Sequence, residues 1–310
     1  MQSMKKNVFV SILSVWIFLF TTVPSWATLN VVTTTPDLAS IAKEIGGTFI
    51  QTDSLVKGYQ DAHFMQPKPS YLVKMNRADL LIYQGLELEI GWLPVLLNGA
   101  RNPDIRPGQP GHLNASDRIA ALEIPKGEVD RSMGDVHPYG NPHYNLDPEN
   151  GFILARVIGD KLSELDPENA SQYKLNLDSF NKKLQEKLAQ WKNQMSPFQG
   201  KEIVTYHKHW SYFSKRFGLS VIDTIELKPG VSPSVKHLSA LTETMIRQKI
   251  KLILQANYID SKFSNIVAEK TGATVLPLPV FVGGTPDAKD YFSLFDTIIE
   301  KISHVLQSNS

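Results

Sequence analysis

The hydrophobic pattern changes period repeatedly along the chain, and each change marks an element. Leu29 to Thr35 is a β-branched run and reads as a strand. Pro36 then opens a segment with Leu38, Ile41, Ala42 and Ile45 on one helical face, stopped by Gly46-Gly47. Phe49 to Val56 predicts a second strand. Ser70 to Ala78 suits a helix with Leu72 and Val73 inside. Asp79 to Tyr83 predicts a third strand, and Leu88 to Leu97 a helix that buries Trp92 and Leu96. Strands alternating with helices in this way predict a parallel sheet covered on both faces.

From Asn102 to Asn141 the periodicity is lost. Pro, Gly, Asp and Asn dominate, so this stretch is expected to run mostly over the surface. A loop of that length is usually functional or mobile. Helical patterning returns from Asp147 to Met195. Asp147-Pro148 reads as an N-cap followed by proline at the first helical position, and Asp166-Pro167-Glu168 repeats that signal. Beyond it Tyr173, Leu175, Leu177, Phe180, Leu184 and Leu188 recur without an intervening Gly or Pro. This predicts one helix of roughly 28 residues, about 42 Å long, enough to span a two-domain molecule. A helical hairpin arm is the alternative.

The second half restarts the alternation. Strands are predicted over Lys201 to Tyr206, Ser220 to Ile225, Lys251 to Gln255 and Thr274 to Leu278. Helices are predicted over Tyr212 to Phe217, Ser234 to Gln248 (Leu238, Leu241, Met245 and Ile246 inward), Ser261 to Thr271 and Asp290 to Leu306. The expected class is α/β, with two parallel-sheet lobes, 28–165 and 197–310, joined by a long helix over 166–196. The two halves share an order of elements without a sequence repeat.

The first residues follow another logic. Lys5 and Lys6 precede an apolar run from Val8 to Val23, and Ser25-Trp26-Ala27 has the small-x-small form of a cleavage site. The run is shorter than the roughly 20 residues of a membrane span. Residues 1–27 are therefore expected to be a signal peptide, cut after Ala27, that delivers a soluble exported protein. A chain of 310 residues carries a prior of about two domains. Its 32 basic and 31 acidic residues argue against nucleic-acid binding through phosphate neutralisation. The absence of cysteine excludes disulfides, thiolate metal sites, cysteine nucleophiles, iron–sulfur clusters and lipid attachment through that side chain.

The candidate chemistry lies in the eight histidines. His63, His143 and His207 stand where a strand or its following loop hands over to the next element, the edge at which open parallel sheets bind ligands. Two come from the first half and one from the second, so a cleft between the halves could unite them. Neutral imidazoles from separate segments suit zinc or manganese. His112, His237 and His304 read as surface or structural residues. The spacings alone carry no metal signature.

The local motifs are more specific. Asp61-Ala-His63-Phe-Met-Gln-Pro-Lys-Pro-Ser70, Asn141-Pro-His143-Tyr-Asn-Leu-Asp147-Pro and Tyr206-His207-Lys-His-Trp-Ser-Tyr-Phe213 resemble the histidine motifs of the zinc/manganese ABC-transporter solute-binding proteins, the cluster A-I, adhesin-like family. The resemblance covers essentially all of 28–306. It implies two α/β lobes with a metal site in the cleft, His63, His143 and His207 as ligands, zinc or manganese as the transported ion, an ABC permease and ATPase as partners, and a monomer in the periplasm. The chain departs from the family's pattern in three ways. Many members carry an aspartate ligand after the last strand, where this chain has Leu278-Pro-Val-Phe-Val-Gly-Gly284. The His-rich acidic loop of many members is reduced to Gly134-Asp-Val-His137-Pro-Tyr-Gly-Asn141. The lipid-attachment cysteine of several relatives is missing.

Three functions compete: a binding protein for a metal importer, a zinc hydrolase and a surface adhesin. No His-Glu-x-x-His, Gly-x-Ser-x-Gly or phosphate loop supports the hydrolase. Three imidazoles favour zinc over the harder manganese. If the second half is wound 2-1-3-4, Glu226 and Gln255 both end beside His207. Glu226 is then the expected fourth ligand, with water as the alternative and Asp61 as a partner that orients an imidazole. His209 is expected to line the cleft mouth or pack beside Trp210. His137 is expected to lie on a loop outside the ligand set, where it could help capture the ion.

Overall fold

The computed structural model describes residues 28–127, 129, 134 and 136–308. The leader predicted at 1–27 lies outside them. The first sheet contains β1 (Leu29–Thr33), β2 (Ile50–Ser54), β3 (Leu80–Tyr83) and β4 (His112–Asn114), in the order β2-β1-β3-β4. The second contains β5 (Glu202–Thr205), β6 (Ser220–Thr224), β7 (Leu252–Ala256) and β8 (Thr274–Leu278), in the order β6-β5-β7-β8. Every pairing is parallel. Both lobes are thus wound alike, and the carboxyl ends of their strands feed the loops that carry the predicted histidines.

Strand β4 lies inside the segment expected to be loop. At three residues it is too short to show a period, and only its pairing with Leu81 to Tyr83 reveals it.

In the first lobe α1 (Pro36–Gly46) buries Leu38, Ile41, Ala42 and Ile45, the predicted face. Helix α2 (Pro69–Asn76) buries Tyr71 and Met75, whereas Val73, expected inside, is exposed. Helix α3 (Leu93–Ala100) begins later than predicted because a tight turn precedes it, but Trp92 and Leu96 are buried as expected.

The middle of the chain forms α4 (Asn150–Leu165) and α5 (Ala170–Met195), separated by a short 3-10 turn at Pro167–Asn169. Helix α5 has 26 residues, about 39 Å. Its first half meets the first lobe: Tyr173 packs edge-on against Phe49, and Asn176 donates to the Ile45 carbonyl at 2.8 Å. Its second half meets α9 (Tyr291–Ser308), where Trp191 packs on Phe295 and Lys187 pairs with Asp296 at 2.7 Å. The helix is packed along its length against both lobes and is not a protruding arm.

The second lobe is completed by α6 (Ser211–Phe217), α7 (Val235–Gln248) and α8 (Lys262–Thr271). On α7, Leu238, Leu241 and Met245 face inward, but Ile246 is exposed. One apolar core runs from the first sheet through α4, α5 and α9 into the second lobe, and a smaller one lies beneath α7. Among the described residues no helix is long and apolar enough to cross a membrane.

Candidate metal centre

His63, His143 and His207 converge between the lobes. One ligand atom from each lies within 4.8 Å of the others, and all three side chains are buried. His63 comes from the loop after β2. The Asp61 carboxylate accepts from both the backbone N–H (2.9 Å) and the Nδ1–H (2.7 Å) of His63. Trp92 anchors the same loop by donating its indole N–H to the Ala62 carbonyl at 2.8 Å. Burial pushes the Asp61 carboxyl up, but the hydrogen bonds and charge of His63 outweigh it and hold the group below its ordinary value.

His207 follows β5. Its Nδ1 donates to Glu226 Oε2 at 2.7 Å, and Glu226 Oε1 accepts from the Gly230 N–H at 2.7 Å. A carboxylate can only accept, so both imidazoles carry their proton on Nδ1 and present a lone pair on Nε2. This arrangement fixes the ring and raises its basicity toward a metal. The Nε2 atoms of His143 and His207 are 3.1 Å apart. Two nitrogens at zinc bond length in a tetrahedron would be about 3.3 Å apart.

Glu226, expected as a fourth ligand, meets His207 from the side away from the other two imidazoles. The 2-1-3-4 winding does bring it beside His207, but on the ring's outer nitrogen and outside the converging trio. Gln255 turns away, to the Ile259 carbonyl and the Ser261 and Ser264 hydroxyls. After β8, Val280, Phe281 and Val282 are buried against the first lobe. Gly58 approaches them so closely that a Cβ there would overlap the Val282 carbonyl.

His143 closes the long loop, and its motif shows why so many polar residues surround it. Asn141 accepts from the His143 N–H at 2.9 Å and donates across the cleft to the Lys208 carbonyl at 2.8 Å, next to His207. Asn145 donates to Asp37 on α1 (2.7 Å) and to the Val280 carbonyl (2.9 Å). Asp147, read from sequence as an N-cap, accepts from the Glu149 N–H at 3.0 Å and also receives Arg216 of α6 in a bidentate pair at 2.7 and 2.8 Å. Each side chain ties the lobes together beside the site. Their interlobe partners lie 67, 135 and 69 residues away, beyond the reach of any local pattern.

Two further imidazoles stand at the trio. The His209 ring lies 4.2 Å from that of His143 and 4.5 Å from that of His207, with its Nε2 against the Tyr258 hydroxyl at 2.9 Å. His137 is not remote either, because its ring centroid lies 5.3 Å from that of His63. Burial, then the neighbouring His63 and His207, push His137 down to about 3. Burial and the surrounding imidazoles also hold His143 and His209 well below the ordinary value. These rings stay neutral, the state that binds a metal. The histidines set aside as structural are elsewhere: His112 on β4 bonds the Ile105 carbonyl, His237 bonds the Thr224 carbonyl, and His304 lies exposed on α9.

The sequence profile of the family described as zinc-uptake complex component A, periplasmic, matches residues 31–305. The chain belongs to this family. Among curated relatives it is 28% identical over 287 residues to the metal ABC transporter substrate-binding lipoprotein ScbA of Streptococcus cristatus, covering 90% of this chain and 89% of that protein. It is also 28% identical, over 291 residues with the same coverage, to the manganese ABC transporter substrate-binding lipoprotein PsaA of Streptococcus pneumoniae. A crystal structure of ZnuA superimposes with a TM-score of 0.76 at 25% identity, covering 91% of this chain and all of that one (100%). The zinc-uptake component A family thus accounts for the two lobes, and a manganese-bound periplasmic protein from Candidatus Liberibacter asiaticus shares the fold at TM-score 0.73 and 22% identity, covering 89% of this chain and 98% of that one.

Proposed function

We propose that this protein is the periplasmic binding component of an ABC importer and that it carries zinc between its lobes on His63, His143 and His207. The observation that carries the reading is the approach of three buried imidazoles from both lobes to within 4.8 Å, two of them backed by carboxylates. The lobes that contribute them are 28–165 and 197–310, joined by 166–196. Residues 1–27 are the leader that exports the chain, and a permease and an ATPase receive the ion from the monomeric protein.

Manganese is the second reading, favoured by the names of relatives such as PsaA. An all-nitrogen donor set argues for zinc, because manganese stands lowest in the divalent affinity order and prefers oxygen. A hydrolase would need a base beside the metal. The two carboxylates that touch the trio, Asp61 and Glu226, are both engaged by imidazole N–H groups. This leaves a carrier rather than a catalyst.

Metal analysis of the purified protein followed by competition titration tests the proposal. One equivalent of zinc that excess manganese cannot displace is the expected result. Tighter manganese than zinc binding would overturn the choice of ion, and wild-type affinity in the triple alanine variant would overturn the site.

A further inference from the structure

Three imidazoles leave one position of a tetrahedral zinc ion to be filled. The structure offers two more buried ring nitrogens that have no hydrogen-bond partner, Nδ1 of His209 and Nε2 of His137. Their partners on the opposite nitrogen distinguish them. His209 Nε2 meets a tyrosine hydroxyl, which can donate or accept, so its tautomer is not determined. The His137 ring stands against the Glu87 backbone, whose carbonyl can only accept. With Nε2 buried and unpartnered, a proton on Nδ1 is the one this carbonyl can receive, and that tautomer leaves the lone pair on Nε2.

The backbone that delivers this arrangement is unusual. Gly85, Leu86 and Glu87 form a run of three left-handed residues, with φ of 80°, 52° and 65°. Left-handed conformations at non-glycine positions persist where their surroundings over-determine them. Here the buried Glu89 carboxylate accepts from the Gln84 N–H (2.7 Å), the Gly85 N–H (3.1 Å) and the Thr34 hydroxyl (2.5 Å), clamping the turn and so the Glu87 carbonyl. On its other side the loop crosses to the second lobe. Gly134 sits so tightly on the Pro229 carbonyl, at φ 83°, that any Cβ would overlap it. His137 lines a cavity of about 120 Å³ with His143 and His207, outside the group of ligand atoms that lie within 4.8 Å of one another, so its ring must close in on a bound ion.

We propose that His137 is the fourth ligand of the bound ion, coordinating through Nε2 and making the centre an all-imidazole site. This rests on the metal-binding reading above and extends it, since four nitrogen donors exclude manganese more strongly than three.

X-ray absorption on the zinc-loaded full chain counts imidazoles directly, and competition titration reads affinity. The wild type should show four imidazoles. His137→Ala and His137→Gln should each show three plus one other light atom, with zinc bound at least about 10–100-fold more weakly, the loss typical of removing even an outer partner. His209→Ala should keep four. Three imidazoles in the wild type, unchanged affinity in both His137 variants, or loss of an imidazole in His209→Ala would each overturn the assignment. If His143→Ala and His207→Ala also bind zinc like the wild type, the whole site reading fails. If they abolish binding while the His137 variants change nothing, only the present proposal fails.

Discussion

Glu226 provides the sharpest test of how the centre is built. Its two carboxylate oxygens accept from two donors, His207 Nδ1 and the Gly230 N–H, both at 2.7 Å. Glutamine has one acceptor oxygen and one NH2 group, so it can satisfy only one of them and must set its own donors against the other. If the amide oxygen stays on His207, the imidazole keeps its tautomer but loses the anionic partner that raises its basicity. Loss of such an outer partner weakens metal binding about 10–100-fold, or about 1.4–2.7 kcal/mol. Glu226→Gln should fall near the lower end and Glu226→Ala near the upper end, because alanine removes the acceptor altogether. The imidazole count and the spectrum of the cobalt-substituted protein should not change in Glu226→Gln. Competition titration with a zinc chelator gives the affinities. An affinity loss in Glu226→Gln as large as that of His207→Ala, together with a changed cobalt spectrum, would refute the reasoning and make Glu226 a direct ligand.

Three other outcomes are expected. Alanine at His63, His143 or His207 should weaken zinc binding by well over about 100-fold, more than the loss of any outer partner, while His304→Ala should match the wild type in the same titration. Asp147→Ala removes the bidentate partner of the half-buried Arg216 and leaves it Glu149, and should lower unfolding stability by about 2 kcal/mol, measured by urea denaturation of the zinc-free protein. Asp37 is wholly buried and its carboxyl is pushed up to about 7 by desolvation, against the hydrogen bonds from Val282 and Asn145. The folded state then keeps a proton that the unfolded chain releases near pH 4, so the stability from this group is lost as pH rises toward 7. Asp37→Asn should gain on the wild type by about 1.4 kcal/mol per pH unit between about pH 5 and pH 6.5; a constant difference over that range would refute the burial argument.

Much of the architecture was legible along the chain because it depends on local periodicity. The apolar stripe of α1, the β-branched run of β1 and the uninterrupted pattern of α5 each specify their element from neighbours a few residues apart. Strand β4 was not legible, since three residues become a strand only when Tyr83 and its neighbours pair with them. The three histidine motifs likewise pointed to His63, His143 and His207 before any geometry was known. What each residue around them does depended on contacts across the cleft. Glu226 could be placed at the right strand end from winding alone, but which nitrogen of His207 it meets depends on ring orientation. Asp147 carries an N-cap signature and does accept from the Glu149 N–H, but nothing local shows that a guanidinium 69 residues away shares its carboxylate. His137 read as an isolated loop histidine because nothing local records that Gly134 locks onto Pro229 and that a strained turn offers the Glu87 carbonyl. Local propensity acts over a few residues, whereas a metal centre between lobes is assembled from side chains that meet only once both lobes have folded.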